Sequence, residues 1–160
     1  MRFAWIALLL VTALTGCSST PAPTSSKDPE PSAAVDSEPM KPITGEFKVA
    51  LITPGPVSDA GWSAMAYAGL KGIQASVGAK TSNEVAGGAK IKDSMRSFAQ
   101  DGYQLIIGHG FEYNEPAVDL AKDFPDTVFV SSSGGKFARN AGAFRFYLEQ
   151  GFYLAGILAA

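Results

Sequence analysis

Short apolar runs alternate with segments of helical periodicity along most of the chain. Residues 47–53 form an apolar run that stops at Pro54-Gly55-Pro56, which predicts a buried strand followed by a loop. A helix is then predicted to start near Ala60, with Ser58 or Asp59 as its cap. Residues at helical spacing predict the buried face of this helix: Trp62, Met65, Ala66, Gly69, Leu70, Ile73 and Val77.

The same alternation continues to the end of the chain. Further strands are predicted at about 80–85, 104–107, 127–130 and 141–146. Further helices are predicted after Gly87-Gly88, from Asn114 to before Phe124, and over 149–160. The helix after Gly87-Gly88 is predicted to bury Ile91, Met95, Phe98 and Ala99. Strands buried on both faces and joined by helices are typical of a parallel sheet, so we predict a doubly wound α/β fold whose strand order the pattern leaves open.

The last predicted helix is apolar on nearly every side. Residues 151–160 contain no cation, no terminal glycine cap and no helix breaker. Such a helix is expected to be covered by other protein surface. Two interpretations stay open: a gene fragment whose natural continuation is missing, or a short protein that buries this helix in a partner.

Composition excludes several classes of function. The 160 residues include 13 Lys and Arg and 15 Asp and Glu, with scattered basic positions, so no nucleic-acid interface is indicated. One histidine and one cysteine give no metal cluster of ligand-like spacing and no intramolecular disulfide. A cation site built from carboxylates alone stays open. No cofactor is expected.

The N-terminus has the pattern of a secretory signal. Arg2 precedes an apolar run, residues 3–14, that is too short to span a bilayer and ends at Leu14-Thr15-Gly16-Cys17. This ending matches the lipobox of bacterial lipoproteins, which implies a mature, extracytoplasmic protein anchored to a membrane by lipid on Cys17. The alternative is an ordinary signal peptide followed by an unrelated cysteine.

The segment after the lipobox predicts a tether. Residues 18–45 are rich in Ser, Thr, Pro, Ala and Glu, and their few apolar positions show no period, which is typical of disorder. The predicted organisation is therefore a signal at 1–16, a lipidated cysteine and disordered tether at 17–45, and one α/β domain at 46–160.

Three loops follow predicted strands, where open α/β sheets bind ligands. In the first, residues 54–63, Asp59 could accept hydrogen bonds from a ligand or cap the helix. Trp62 could stack on a planar ring or belong to the core.

In the second loop, Gly108-His109-Gly110-Phe111 begins like a dinucleotide fingerprint but lacks its third glycine. His109 could be structural or catalytic. In the third, residues 131–135, Ser131 and Ser132 could cradle a polar ligand or form a flexible connection. Asp59, His109 and a serine occur in an order known from hydrolases, but no Gly-x-Ser-x-Gly elbow is present.

Taken in order, these motifs resemble the basic membrane protein family. The resemblance rests on the lipobox and tether, Val49-Ala50-Leu51-Ile52, Gly55-Pro56-x-x-Asp59-x-Gly61-Trp62, Gly108-His109-Gly110-Phe111 and Glu149-Gln150-Gly151-x-Tyr153-Leu154-Ala155-Gly156. Members are substrate-binding lipoproteins of ABC importers, related to bacterial purine-nucleoside receptors.

The resemblance implies a two-lobed type I periplasmic-binding fold, of which this chain supplies nearly all of the first lobe. It places Asp59 and Trp62 at the ligand cleft, bordered by Gly110 and Phe111. Ser63 stands where nucleoside-binding relatives often carry asparagine, which leaves the ligand open between a purine nucleoside and a purine base. The candidate ligand-binding residues are Ser58, Asp59, Trp62, Ser63, Gly108, His109, Gly110, Phe111, Ser131 and Ser132.

The resemblance also implies a receptor that delivers its ligand to an ABC permease and catalyses no reaction. The competing interpretation is an envelope lipoprotein that acts as a ligand sensor or an interaction module without transport.

Overall fold

The computed structural model describes residues 41–159, so the predicted signal, Cys17 and most of the predicted tether lie outside the described residues. The strands are β1 (Lys48–Thr53), β2 (Lys80–Val85), β3 (Leu105–Gly108), β4 (Val128–Ser132) and β5 (Ala141–Phe144). The helices are α1 (Trp62–Val77), α2 (Lys90–Gln100), α3 (Asn114–Ala121) and α4 (Leu148–Ala159), with a 3₁₀ turn at Phe111–Tyr113 before α3.

The strands form one sheet in the order β2-β1-β3-β4-β5. Every neighbouring pair is parallel. The predicted α/β class with a parallel sheet is therefore confirmed. The chain moves outward from β1 to β2, then crosses β1 and continues in the other direction from β3 to β5. A crevice opens at such a reversal, between the carboxyl ends of β1 and β3.

Helices cover both faces of the sheet. On one face α2 and α3 pack against the strands, and the core there includes the fully buried Met95, Ile106, Leu120 and Phe129. The predicted inward face of α2, residues Ile91, Met95, Phe98 and Ala99, is buried as expected. On the other face α1 lies over β1 and β2, and the side chain of Leu70 is buried there against the sheet.

The predicted buried face of α1 is wrong in part. Of its seven residues only Leu70 is buried, whereas Met65 and Val77 are 76% and 62% exposed. The reason is that α1 covers β1 and β2 and leaves an apolar groove open toward β3. Met65 lies at the edge of this groove, and Val77 is the last residue of the helix. The helix begins at Trp62 because Ala60 adopts a left-handed φ of 53°.

The predicted apolar C-terminal helix is present as α4, and none of its residues is buried. Phe152, Tyr153 and Leu158 are at least 70% exposed. Within residues 41–159, no helix combines the length and hydropathy needed to cross a bilayer.

Candidate ligand-binding site

Asp59 caps α1. Its Oδ1 accepts hydrogen bonds from the backbone N–H groups of Gly61 and Ala64, both at 2.9 Å, and its Oδ2 accepts one from Ser63 at 2.8 Å. These backbone bonds lower the pKa of Asp59 to about 2. The carboxylate is also exposed. Capping is therefore established, and the side chain still presents negative charge to solvent at the rim of the sheet.

Trp62, the first residue of α1, lies across the crevice. Its indole stacks on the imidazole of His109, with ring centroids 4.1 Å apart and planes 25° from parallel. Its Nε1 donates to the backbone oxygen of His109 at 3.3 Å, and Phe146 approaches edge-on at 5.8 Å. The side chain remains 39% exposed. The ring is thus neither core nor free: it is fixed by specific contacts, and part of its surface faces solvent.

His109 follows β3 and is 6% exposed. Its backbone N–H donates to Ile52 at the end of β1, which ties the loop to the sheet. Burial lowers the pKa of His109, against smaller opposing effects of the Trp62 carbonyl and the carboxylates of Asp59 and Glu112. At neutral pH the imidazole is therefore uncharged.

The glycines beside His109 serve packing. A β-carbon at Gly108 would overlap Tyr113, whose ring is fully buried and whose hydroxyl donates to the oxygen of Ala86 at 2.7 Å. One at Gly110 would overlap the carboxylate of Glu112. The turn brings Phe111 to the surface with 74% exposure.

The two candidate serines are the last residues of β4 and not part of the loop that was predicted at 131–135, and both are buried. The Ser131 hydroxyl lies 3.4 Å from the oxygen of Gly142, and the Ser132 hydroxyl lies 3.0 Å from Nδ1 of His109. The following turn is held in place, because the Asn114 amide donates to the oxygen of Lys136 at 3.0 Å and accepts from its N–H at 2.9 Å. These contacts argue against a merely flexible connection.

The hydrolase arrangement is not formed, although Ser132 and His109 are brought together. The second imidazole nitrogen of His109 faces the backbone oxygen of Trp62 at 2.9 Å, where a catalytic triad would place a carboxylate. Asp59 is bound to backbone N–H groups instead. Ser132 is 1% exposed and has no open path to a substrate.

The two remaining candidate serines, Ser58 and Ser63, differ in their exposure to solvent. Ser58 is exposed beside Asp59, whereas Ser63, the second residue of α1, is 1% exposed. Sequence reasoning missed two residues that line the apolar groove: Phe144, the last residue of β5, and Phe146, which follows the strand. Aromatic residues alternate along the sequence at the end of β5, and this alternation could have indicated that they line a groove. It is equally typical of a strand with one buried face.

The apolar groove has a volume of about 460 Å³ and lies between α1, β1, β3 and the segment Phe144–Leu148. Trp62 and His109 form part of its wall. Among the described residues, the non-glycine positions with positive φ are Ala60, at 53°, and Ser133, at 95°. Both lie in the rim loops, and strained backbone of this kind concentrates at functional sites. A separate cavity of about 350 Å³ lies at the opposite, amino end of the strands, near Tyr103 and Thr127.

Comparison with known proteins agrees with this geometry. Residues 47–160 match the family model described as ABC transporter substrate-binding protein PnrA-like. The chain belongs to this family. The resemblance to basic membrane proteins is thereby confirmed.

The chain is also similar to individual proteins. The chain is 34% identical over 119 residues to a purine-binding protein of Brucella abortus, which covers 72% of this chain and 34% of that protein. It is 30% identical over 121 residues to the transcriptional activator protein Med of Bacillus subtilis, covering 71% of this chain and 36% of that protein. A solved solute-binding protein of an ABC transporter system from Conexibacter woesei superposes with a TM-score of 0.57 at 27% identity, covering 69% of this chain and 38% of that one.

The chain spans about a third of the length of the curated relatives it matches. The fold of this part is that of one lobe in those solute-binding proteins. The activity, ligand and partners of the full-length relatives are therefore proposals for this chain.

Proposed function

We propose that this chain provides one wall of a purine-binding cleft in the substrate-binding protein of an ABC importer. The protein would lie outside the cytoplasm, anchored by lipid on Cys17, and would deliver a purine nucleoside or purine base to the permease without catalysing a reaction. The predicted signal, the lipidated cysteine and the tether at 17–45 are part of this proposal.

The observation that carries the proposal is the placement of Trp62. The stacked pair of Trp62 and His109 joins the loops after β1 and β3, which flank the crevice where a sheet of this strand order binds ligands. A partly exposed indole fixed at this point offers a flat surface for a planar ring. Stacking of a base on an aromatic side chain contributes about 1–3 kcal/mol.

Two further observations support a purine as the ligand. The Brucella abortus relative is named as purine-binding. The wall around Trp62 is aromatic and apolar, with Phe144 and Phe146 nearby, which suits the faces of a base better than the hydroxyls of a sugar. Ser58 and Asp59 supply exposed polar groups at the rim, and Phe111 from the next loop supplies an exposed aromatic ring.

Calorimetry tests the ligand class. Adenosine, guanosine, inosine and adenine are titrated into the chain, with glucose and leucine as comparison ligands. Since one wall of a two-walled cleft makes only part of the contacts, we expect weak heats with purines and none with the comparison ligands. Absence of purine binding together with tight binding of the sugar or the amino acid would overturn the proposal.

A second function has a specific observation in its favour. The Bacillus subtilis relative is named a transcriptional activator, so one protein similar to this chain carries a name that denotes regulation. Under this alternative the same cleft senses a ligand and transports nothing. Permease and ATPase genes beside this gene, and loss of purine uptake when it is deleted, would favour import; intact uptake would favour sensing.

A further inference from the structure

Trp62 and His109 are connected by reciprocal hydrogen bonds as well as by stacking. The indole Nε1 donates to the backbone oxygen of His109 at 3.3 Å, while Nε2 of His109 lies 2.9 Å from the backbone oxygen of Trp62. The two rings stack between these bonds, 4.1 Å apart. Each residue therefore restrains both the backbone and the ring of the other.

These contacts fix the tautomer of His109. A carbonyl oxygen only accepts, so Nε2 must carry the proton that it donates to Trp62. In the neutral ring Nδ1 is then bare and accepts from the hydroxyl of Ser132, 3.0 Å away. Only a flat side chain with a donor at one end and an acceptor at the other satisfies both neighbours.

His109 itself is poorly placed to contact a ligand. It is 6% exposed, and both of its ring nitrogens are used inside the protein. Trp62 covers one face of its ring, whereas Trp62 is 39% exposed. The solvent-accessible surface of the pair therefore belongs mainly to the indole.

We propose that His109 is a positioning residue for the site: as the neutral Nε2–H tautomer it holds the indole of Trp62 in the orientation that presents its outer surface to a planar ligand. This inference deepens the proposed function and rests on it for the ligand, but the orientation of Trp62 is measurable without one.

Burial and the charges around His109 act on its protonation in opposite directions. Asp59, from the loop after β1, and Glu112, from the turn after β3, face it and favour a charged imidazole, while burial opposes one more strongly. From β4 and from the segment after β5 the neighbours are the uncharged Ser132 and, beyond Trp62, Phe146. Protonation would place a second proton at Nδ1, where the hydroxyl of Ser132 now donates.

A direct test needs no substitution, because His109 is the only histidine in the sequence. Nitrogen-15 NMR of the imidazole in the full chain at neutral pH distinguishes the two tautomers. We expect a protonated Nε2 and a bare Nδ1. The reverse pattern, or rapid averaging between both, would overturn the proposal.

The role in positioning is tested in the full chain with Trp5→Phe, which leaves Trp62 as the only tryptophan. The variant His109→Phe keeps a flat ring but neither hydrogen bond, and His109→Gln keeps a donor without a flat ring. We expect both to reduce the near-ultraviolet circular dichroism of Trp62 and to weaken adenine binding about tenfold. Unchanged dichroism in both variants would overturn the proposal.

The matched control is Thr127→Val, which removes a buried hydrogen bond to Tyr103 at the opposite end of the sheet. It should lower the melting temperature comparably and leave the dichroism of Trp62 and adenine affinity unchanged; equal losses in this control would refute positioning by His109. If the parent chain binds no purine but shows the expected tautomer and the expected dichroism changes, the proposed function fails and positioning of Trp62 stands.

Discussion

Gly108 lies directly against Tyr113, so closely that a β-carbon at position 108 would overlap Cβ of the tyrosine and come within 2.9 Å of the Met95 methyl group. Tyr113 cannot move aside easily, because it is fully buried and its hydroxyl is bonded to Ala86. Gly108 is therefore explained by packing at the end of β3 and requires no bound phosphate.

Gly108→Ala is predicted to destabilise the protein by about 1–3 kcal/mol through overpacking. Urea denaturation measures this loss as a lower midpoint with an unchanged slope. The control is Gly135→Ala, where the added methyl group meets nothing within 4 Å, and a change within about 0.5 kcal/mol is expected. Equal effects of the two substitutions would contradict the packing explanation.

Trp62→Ala should separate ligand stacking from core packing. Since the indole is 39% exposed, we expect its loss to cost less than the roughly 3–5 kcal/mol typical of a buried tryptophan. Purine affinity should fall by about 1–3 kcal/mol, which is roughly fivefold to more than a hundredfold. Calorimetry and urea denaturation on the same samples measure both quantities. A large loss of stability with unchanged affinity would identify Trp62 as a packing residue.

Most of the fold could be predicted because β1, β3 and β4 contain apolar runs and the helices between the strands are periodic. The strands predicted at 47–53 and 104–107 match β1 and β3 to within one residue at each end, and the periodicity of α2 identified its buried apolar residues. The order β2-β1-β3-β4-β5 could not be predicted. It depends on which strand edges meet, and the local pattern of apolar and polar residues does not specify those pairings.

The candidate site could be predicted only in part. Asp59 had both a capping and a ligand interpretation, and the structure shows that the cap is made while the carboxylate stays exposed. Met65 fits the helical stripe of α1 yet is 76% exposed, because periodicity identifies a face but not what covers it. The pairing of Trp62 with His109 depends on residues 47 positions apart, which no local pattern reveals.

Stability is predicted to fall as the pH drops below about 6.5 because of His109. Its pKa is lower in the folded protein than the usual 6.5, so in this range the unfolded chain binds more protons and acidification favours unfolding. This loss of stability is absent well above pH 6.5. Melting temperatures measured between pH 7.5 and about pH 5.5, above the usual range of carboxylates, isolate it.

His109→Gln is the control for this pH dependence, because it removes the only histidine of the sequence. The variant should show a flat profile in the same interval, at a lower melting temperature throughout. A slope that persists in the variant would assign the titration to another group.

Asp59→Ala is predicted to destabilise the start of α1. The carboxylate accepts three backbone hydrogen bonds, and its lowered pKa means that its stabilisation is present above about pH 4 and is lost as the pH falls toward 2. The melting temperature at neutral pH should fall on the order of 5 °C. Asp59→Asn retains an acceptor and should lose less. An Asn variant as unstable as the Ala variant would show that charge matters more than capping.

Exposed apolar residues of α4 are predicted to cause self-association of the chain. Leu154 and Leu158 are 62% and 87% exposed on a helix with no buried residue, and contiguous surfaces of this kind mark interaction sites. The double substitution Leu154→Glu and Leu158→Glu should reduce association in sedimentation velocity and change stability by less than about 1 kcal/mol, since neither side chain is buried. The control Val77→Glu replaces an isolated apolar residue that is 62% exposed on α1 and should leave association unchanged.

Because Leu148 at the start of α4 lines the apolar groove, a loss of several kcal/mol in the double variant would instead show that α4 packs into that groove in solution.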